Sequence, residues 1–264
     1  MMRTIKLAAL LLAVSFASLA NASTIWMTGS NGQRLYTVDS TTGTSAVVGN
    51  FGMADTYALA FNNAGTLYGI ANGFANGTLV TINQATGAAT AVGASTGIVN
   101  LMALTFSADG TLYAGSWGTN NLYTINPITG AATVVGVLGF GKIMDLDLDF
   151  DSQGNLYALS EALYKVNTAT GAGTLGTSLA NTCLMGMAID SADRFYATDY
   201  CTGNTPLFEI NTGNGALTTI GATGISAAMG GAIFAASAIP EPGSPVLLAL
   251  ALGGMMLVRR KKST

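Results

Sequence analysis

The chain has 264 residues, half of them hydrophobic and only 9% charged, with 34 Gly and no His. Lacking an imidazole, it has no histidine base, proton shuttle or metal ligand, which excludes most triad hydrolases and His-ligated zinc enzymes. The formal charge of −3 is unevenly spread: Arg3, Lys6, Arg259, Arg260, Lys261 and Lys262 lie at the two ends, and residues 23–239 hold four basic against twelve acidic residues, too few cations for a nucleic-acid surface.

The first segment is an export signal. Arg3 and Lys6 precede an apolar run at 7–19, and Ala20-Asn21-Ala22 offers a small-x-small cleavage site, so residues 1–22 read as a signal peptide with a helical apolar segment. A membrane anchor is the alternative, but the run is short for a span, which needs about 20 residues. Export also places the two cysteines where a disulfide persists.

A repeat follows. The unit Leu-Tyr-Thr-Val-Asp-Ser-Thr-Thr-Gly at 35–43 recurs at 79–87, 122–130, 163–171 and 207–215. A second unit interleaves with it: Ala-Leu-Ala-Phe-Asn-Asn-Ala-Gly-Thr-Leu-Tyr at 58–68 recurs at 103–113, 147–157 and 186–196. Each is an alternating apolar run, a turn rich in Gly, Asn and Asp, and a second run, which is the pattern of a hairpin. The side chains of Asp, Asn and Ser start such turns by accepting backbone N–H groups, and Gly supplies the positive φ that closes them. Two hairpins per period of about 43 residues make four strands, the blade of a β-propeller.

Within a blade the strands a, b, c and d are expected at 102–106, 111–115, 122–126 and 132–137. Residues 24–28 fit a strand b and 230–235 fit a strand a, so one blade is completed by the last strand of the chain joining its first three. The expected fold is therefore all-β, a five-bladed β-propeller at 23–239 closed by N- and C-terminal strands, with a signal helix before it and a transmembrane-type helix after it. An open stack of hairpins or a β-solenoid is the competing architecture, but it leaves sheet edges exposed and gives the interlocking ends no role.

One inner strand departs from the repeat. Residues 145–151 read Asp-Leu-Asp-Leu-Asp-Phe-Asp, putting carboxylates on one face and Leu146, Leu148 and Phe150 on the other. Innermost strands line a propeller's channel, and crowded carboxylates repel unless water, protonation or a cation relieves them. Asp145, Asp147 and Asp149 are thus a candidate Ca²⁺ or other hard-cation site, with hydrated carboxylates as the alternative. The stretch 149–154 resembles the start of an EF-hand loop, yet position twelve is Ser160 and the flanks are strands, so it reads as the a to b turn.

Cys183 precedes strand a of its blade and Cys201 follows strand b, symmetrically about the turn at 190–194. The pair is therefore placed for a structural disulfide, with reduced thiols as the alternative. A redox C-x-x-C spacing is absent. The a to b and c to d turns share one end of the ring and are short and uniform. The b to c and d to a loops share the other end and vary, carrying Phe51, Phe74, Trp117, Phe140, Glu161 and Tyr200. Loops that vary over a rigid repeat are where recognition is expected, and Phe74, Trp117 and Tyr200 are the candidate ligand face. The alternative is that these rings fold inward to cover blade ends.

At the C-terminus, Pro240-Glu241-Pro242 precedes an apolar run at 246–258 and then Arg259-Arg260-Lys261-Lys262. Cations after an apolar run hold that end in the cytoplasm and leave the preceding domain outside. The order and spacing of residues 240–264 resemble the PEP-CTERM sorting signal of exported bacterial proteins. That resemblance implies a membrane-held precursor, an exosortase-type processing enzyme as partner, and release to the cell surface or an exopolysaccharide or biofilm matrix; a plain membrane tail is the alternative. The expected function is a non-enzymatic binding or structural role, with exopolysaccharide or envelope proteins as partners. The alternative is a calcium-dependent lactonase-like or sugar-hydrolysing enzyme using the acidic strand.

Overall fold

The computed structural model describes residues 22–140, 146–180, 183–202 and 204–234. The expected signal and C-terminal helices, the Pro240-Glu241-Pro242 motif, the terminal cations and Asp145 lie outside the described residues. Among the described residues all regular structure is β, in twenty strands and five four-stranded antiparallel sheets.

The first three strands, β1 (Thr24–Gly29), β2 (Arg34–Asp39) and β3 (Ser45–Asn50), belong to a blade that is completed only at the end of the chain. Blade 1 is β4 (Tyr57–Phe61), β5 (Leu67–Ala71), β6 (Thr78–Ile82) and β7 (Ala89–Ala91), and blade 2 is β8 (Leu101–Phe106), β9 (Leu112–Ser116), β10 (Asn121–Ile125) and β11 (Ala132–Val137). Blade 3 is β12 (Asp147–Phe150), β13 (Leu156–Leu159), β14 (Ala162–Val166) and β15 (Gly173–Ser178), and blade 4 is β16 (Leu184–Ile189), β17 (Phe195–Asp199), β18 (Pro206–Ile210) and β19 (Leu217–Ala222). The last strand, β20 (Met229–Ile233), pairs with β1, setting Ile25 opposite Ile233 and Trp26 opposite Ala232. Blade 5 is therefore β20-β1-β2-β3, and the ring is closed as the repeat register requires.

The repeated units fold as their residues dictate. In the c to d turns the side-chain oxygens of Asp39, Asn83, Asn126 and Asn167 each accept the N–H groups two and three residues on. The closing glycine, Gly43, Gly87, Gly130, Gly171 or Gly215, then takes a φ between 72° and 78°, a region that Gly enters without steric cost. Inner turns use the same device: Asp151 Oδ1 accepts the N–H groups of Gln153 and Asn155, and Asp190 Oδ1 those of Ala192 and Arg194. The stretch at 149–154 is thus the inner turn that its strand flanks imply.

Neighbouring blades meet at two radii. Toward the axis, aromatic pairs cross from blade to blade: Trp26 with Phe61, Tyr68 with Phe106, Tyr113 with Phe150, and Tyr157 with Phe195, with ring centroids 4.9 to 6.0 Å apart. At the rim, each c to d turn lies against the outer strand of the preceding blade. Outer strands β3, β11 and β19 bulge at this point, and Gly49, Gly136 and Gly221 bring bare backbone onto the turns at Thr86, Thr170 and Thr42. A Cβ on Gly87 would sit 2.8 Å from the Gly49 carbonyl carbon, and one on Gly171 2.7 Å from that of Gly136. The third blade has Thr177 at the corresponding place, and its hydroxyl donates to the Thr212 carbonyl instead.

Gly49→Ala tests this seam, because its methyl would run into the Thr86 carbonyl oxygen while its own φ is unrestrictive. We expect a loss of about 1–3 kcal/mol, the usual cost of overpacking a fixed contact. Chemical denaturation of the variant beside the parent chain checks it, and an unchanged midpoint would show the seam to be loose.

Candidate functional site

The two ends of the ring differ. At the loop end, Tyr57, Met102, Met185 and Met229, from the starts of four inner strands, pack together as a plug with Trp117 partly buried against them. Phe74 stands on this plug 45% exposed, its ring edge-on to Tyr57 at 5.1 Å, and Tyr200 is 38% exposed. Burial, helped by Asp55 and Tyr200 nearby, pushes the Tyr57 hydroxyl up to about 12. Phe74 from blade 1, Trp117 from blade 2 and Tyr200 from blade 4 are thus carried to the same end of the molecule. Phe51 and Phe140, expected on this face, are instead buried: both cover blade ends, Phe140 stacking on Tyr164 at 4.2 Å.

The loop carrying Tyr200 is fixed at its base. Cys183 and Cys201 are bonded, with Cα atoms 5.8 Å apart, and the Tyr200 N–H donates to the Cys183 carbonyl. Closing a loop with a sequence separation of 18 stabilises the fold by about 3 kcal/mol in the chain-entropy view.

The acidic strand takes a place that the repeat pattern did not reveal. The expected open channel is absent at this depth, because the inner strands are buried on both faces through most of their length. The inner edges of β16 and β20 therefore present N–H groups to a dry axis, and a buried N–H without a partner is costly. Asp147 and Asp149 meet this need. Asp147 Oδ2 accepts the N–H groups of Met187 at 2.7 Å and Gly231 at 3.1 Å, and its Oδ1 accepts that of Leu148. Asp149 Oδ2 accepts the Ile189 N–H at 2.7 Å, while Oδ1 takes the Phe150 N–H and the Thr105 hydroxyl. Asp147 is buried and Asp149 half-buried, and both already accept several donors. Among the described residues no group of three or more acidic or thiol side chains is arranged for a metal.

Below these carboxylates, at the turn end, lies an axial cavity of about 380 Å³ to which all five blades contribute. Asp149 and Thr105 line its deeper part, Phe61, Phe106, Phe150 and Phe234 its walls, and Asn62, Asn63, Ser152 and Ser191 its polar rim. No Lys or Arg lines it. Sequence reasoning missed this cavity. Its one signal was the recurrence of Phe at positions 61, 106 and 150 of the second unit, where the inner strands end.

Burial raises Asp149 to about 6 against the pull of its N–H and hydroxyl donors, and raises Asp147 well above the usual carboxylate range. A carboxyl whose pKa is higher in the folded state binds protons more tightly there, so stability falls as pH rises from about 4 to about 6 through Asp149. We expect the melting temperature to rise on acidification from pH 7 to pH 5. Asp149→Asn should be less stable at every pH, with its amide N–H₂ forced against the Ile189 or Phe150 N–H, and should show a flatter profile. Calorimetry across this range checks both, and a parent profile that rises with pH would contradict the assignment.

No curated protein matches the chain. Among solved structures it is similar to a structural genomics protein of unknown function from Bacteroides thetaiotaomicron VPI-5482, at 19% identity and a TM-score of 0.54, over 76% of this chain and 59% of that one. The chain thus spans about three fifths of the length of that structure. It is also similar to a chain from the nidogen/laminin complex, at 12% identity and a TM-score of 0.56, over 81% of this chain and 99% of that one. Virginiamycin B lyase from Staphylococcus aureus is similar at 13% identity and a TM-score of 0.45, over 75% of this chain and 69% of that one. Likeness at such identities speaks to the fold alone. The chain belongs to the family described as "Repeat of unknown function (DUF6923)", whose pattern matches residues 26–185.

Proposed function

We propose that this chain is an exported, non-enzymatic binding propeller of the cell envelope or extracellular matrix, whose loop end meets a glycan or protein partner. In this reading residues 1–22 are a cleaved leader. Residues 240–264 anchor the precursor in the inner membrane until an exosortase-type enzyme acts at Pro240-Glu241-Pro242, and Arg259, Arg260, Lys261 and Lys262 hold the cytoplasmic side.

The observation that carries the reading is the polarity of the ring. The described chain leaves the propeller at Phe234, on the turn end, where Phe234 shares the cavity wall with Asn62, Asn63 and Ser152. Only five residues separate Phe234 from Pro240, a reach of at most about 20 Å. A tail held in the membrane therefore keeps the turn end close to it and turns Phe74, Trp117 and Tyr200 outward. Tyr200 stands exposed on a loop whose base is fixed by the disulfide, and Phe74 stands exposed against Tyr57, so these rings lose little side-chain freedom on contact, which favours binding. The enzyme alternative would draw on a carboxylate pair, but Asp147 is buried and its oxygens accept the N–H groups of Leu148, Met187 and Gly231.

Two measurements test it. Removing residues 240–264 should move the protein from the membrane fraction to the soluble exported fraction. Phe74→Ala with Tyr200→Ala should weaken retention on the producing cell's own exopolysaccharide by about tenfold or more, the size expected for two exposed aromatic contacts, with the circular dichroism spectrum and melting temperature unchanged. Equal retention by the double variant would overturn the loop-end assignment.

A further inference from the structure

We propose that the axial cavity at the turn end is a second, independent binding site, and that it takes an amino sugar through its free ammonium group. Three features of the lining select this chemistry. First, the charged groups are all of one sign: the carboxylates of Asp149 and Asp151 line the cavity and no Lys or Arg does. Phosphate, sulfate and carboxylate ligands are therefore repelled, a phospholipid headgroup with its phosphate among them. Second, the walls are aromatic, with Phe61, Phe106, Phe150 and Phe234 drawn from four of the five blades. Phe61 and Phe234 lie with ring centroids 5.3 Å apart at one side of the mouth. Phenyl faces attract ammonium groups and pack against the C–H faces of a sugar ring. Third, the rim is made of amides and hydroxyls that suit sugar hydroxyls, and the volume falls within the roughly 300–1,000 Å³ of small-molecule pockets.

The deep end of the cavity is fixed before any ligand arrives. Asp149 is held by three donors, from Thr105, Phe150 and Ile189, so its carboxylate gives an ammonium a preset anchor without side-chain ordering. With burial holding Asp149 near 6, the carboxyl is mostly ionised at neutral pH and able to pair with a cation. Across the rim, the N–H and hydroxyl of Ser152 donate to Asp193 of the next blade, which keeps the mouth at constant width. Asp193 occupies a positive φ of 57° where other inner turns place Gly65, Gly110 and Gly154, so a carboxylate at that turn is kept at some backbone cost.

Titration calorimetry on the full-length chain in detergent micelles, at pH 7.5 and low salt, tests the proposal with glucosamine, N-acetylglucosamine and glucose as probes. Glucosamine should bind at least about tenfold more tightly than the two neutral sugars, the ratio that one charge-assisted contact supplies. Asp149→Asn should abolish that preference. Because this substitution also disturbs the axis, Phe234→Ala provides a second reading: its ring stands 40% exposed at the mouth, and its loss should weaken glucosamine several-fold without altering the melt. Ile128→Ala, on an outer turn and 83% exposed, should leave binding unchanged. Equal affinity for glucosamine and the neutral sugars, no measurable heat with glucosamine, or full binding by Phe234→Ala would each overturn it. The outcome is independent of the loop-end reading, since Phe74→Ala with Tyr200→Ala leaves this cavity intact.

Discussion

The ring exists because β20 adds to the edge of β1. Four blades are made of consecutive strands, but the fifth needs the last strand of the domain beside its first, and the hydrogen bonds between them fix both ends of the chain at once. The pairing removes the two edges that an open row of hairpins would expose to other chains. It also fixes the number of blades, because only a closed circle lets every outer turn find the strand of a preceding blade. Glycine then decides how near the blades come. With Gly49, Gly136 and Gly221 on the outer strands facing the glycine-closed turns of their neighbours, backbone meets backbone without an intervening side chain. Part of the high Gly content of the chain thus serves the tight packing of near-identical units.

Closing the circle creates a problem at its centre. Five inner strands each turn one edge toward the axis, where few partners are available and little water enters. Threonine answers part of it, since the hydroxyl of Thr28 donates to the Met229 carbonyl and that of Thr198 to the Met185 carbonyl. Aspartate answers another part from one blade, and each of its two carboxylates reaches the N–H forty residues further on, one repeat away. A buried carboxylate with several N–H donors is an acceptor in a structural network, and the same burial makes it proton-hungry. The blade that breaks the repeat in sequence is therefore the one that ties the inner edges of blades 3, 4 and 5 together.

Much of this architecture is legible in the sequence. The units beginning at Leu35 and Ala58, their turn residues and the match of the two chain ends give the strands, the blades and the closure, because period-2 alternation and turn chemistry are local properties. The disulfide is legible for the same reason, since Cys183 and Cys201 are symmetric about one hairpin. What sequence misjudges is depth. Asp147 looks like exposed charge because alternation alone does not say whether a propeller's axis is wet, and Phe51 and Phe140 look like loop aromatics because nothing local shows that a blade end needs covering. The cavity is less legible still: its lining comes from five blades, and its residues are adjacent only once the ring has closed.

The two ends have diverged under different constraints. At the loop end, bulky side chains at the starts of four inner strands pack together as a plug, and among the described residues Phe74 and Tyr200 stand exposed at this end. At the turn end the same strands finish in a ring of Phe residues around space, with Asp149 deep inside. Uniform turns are usually the conservative end of a repeat, but uniformity here has a consequence of its own. When each blade places the same residue type at the same point near the axis, closure multiplies it, and three copies of a Phe that is unremarkable in one hairpin become three walls of a cup. Repetition thus builds a pocket without any blade containing a binding motif, and the acidic strand, set inside that pocket to satisfy the axis, gives it a sign.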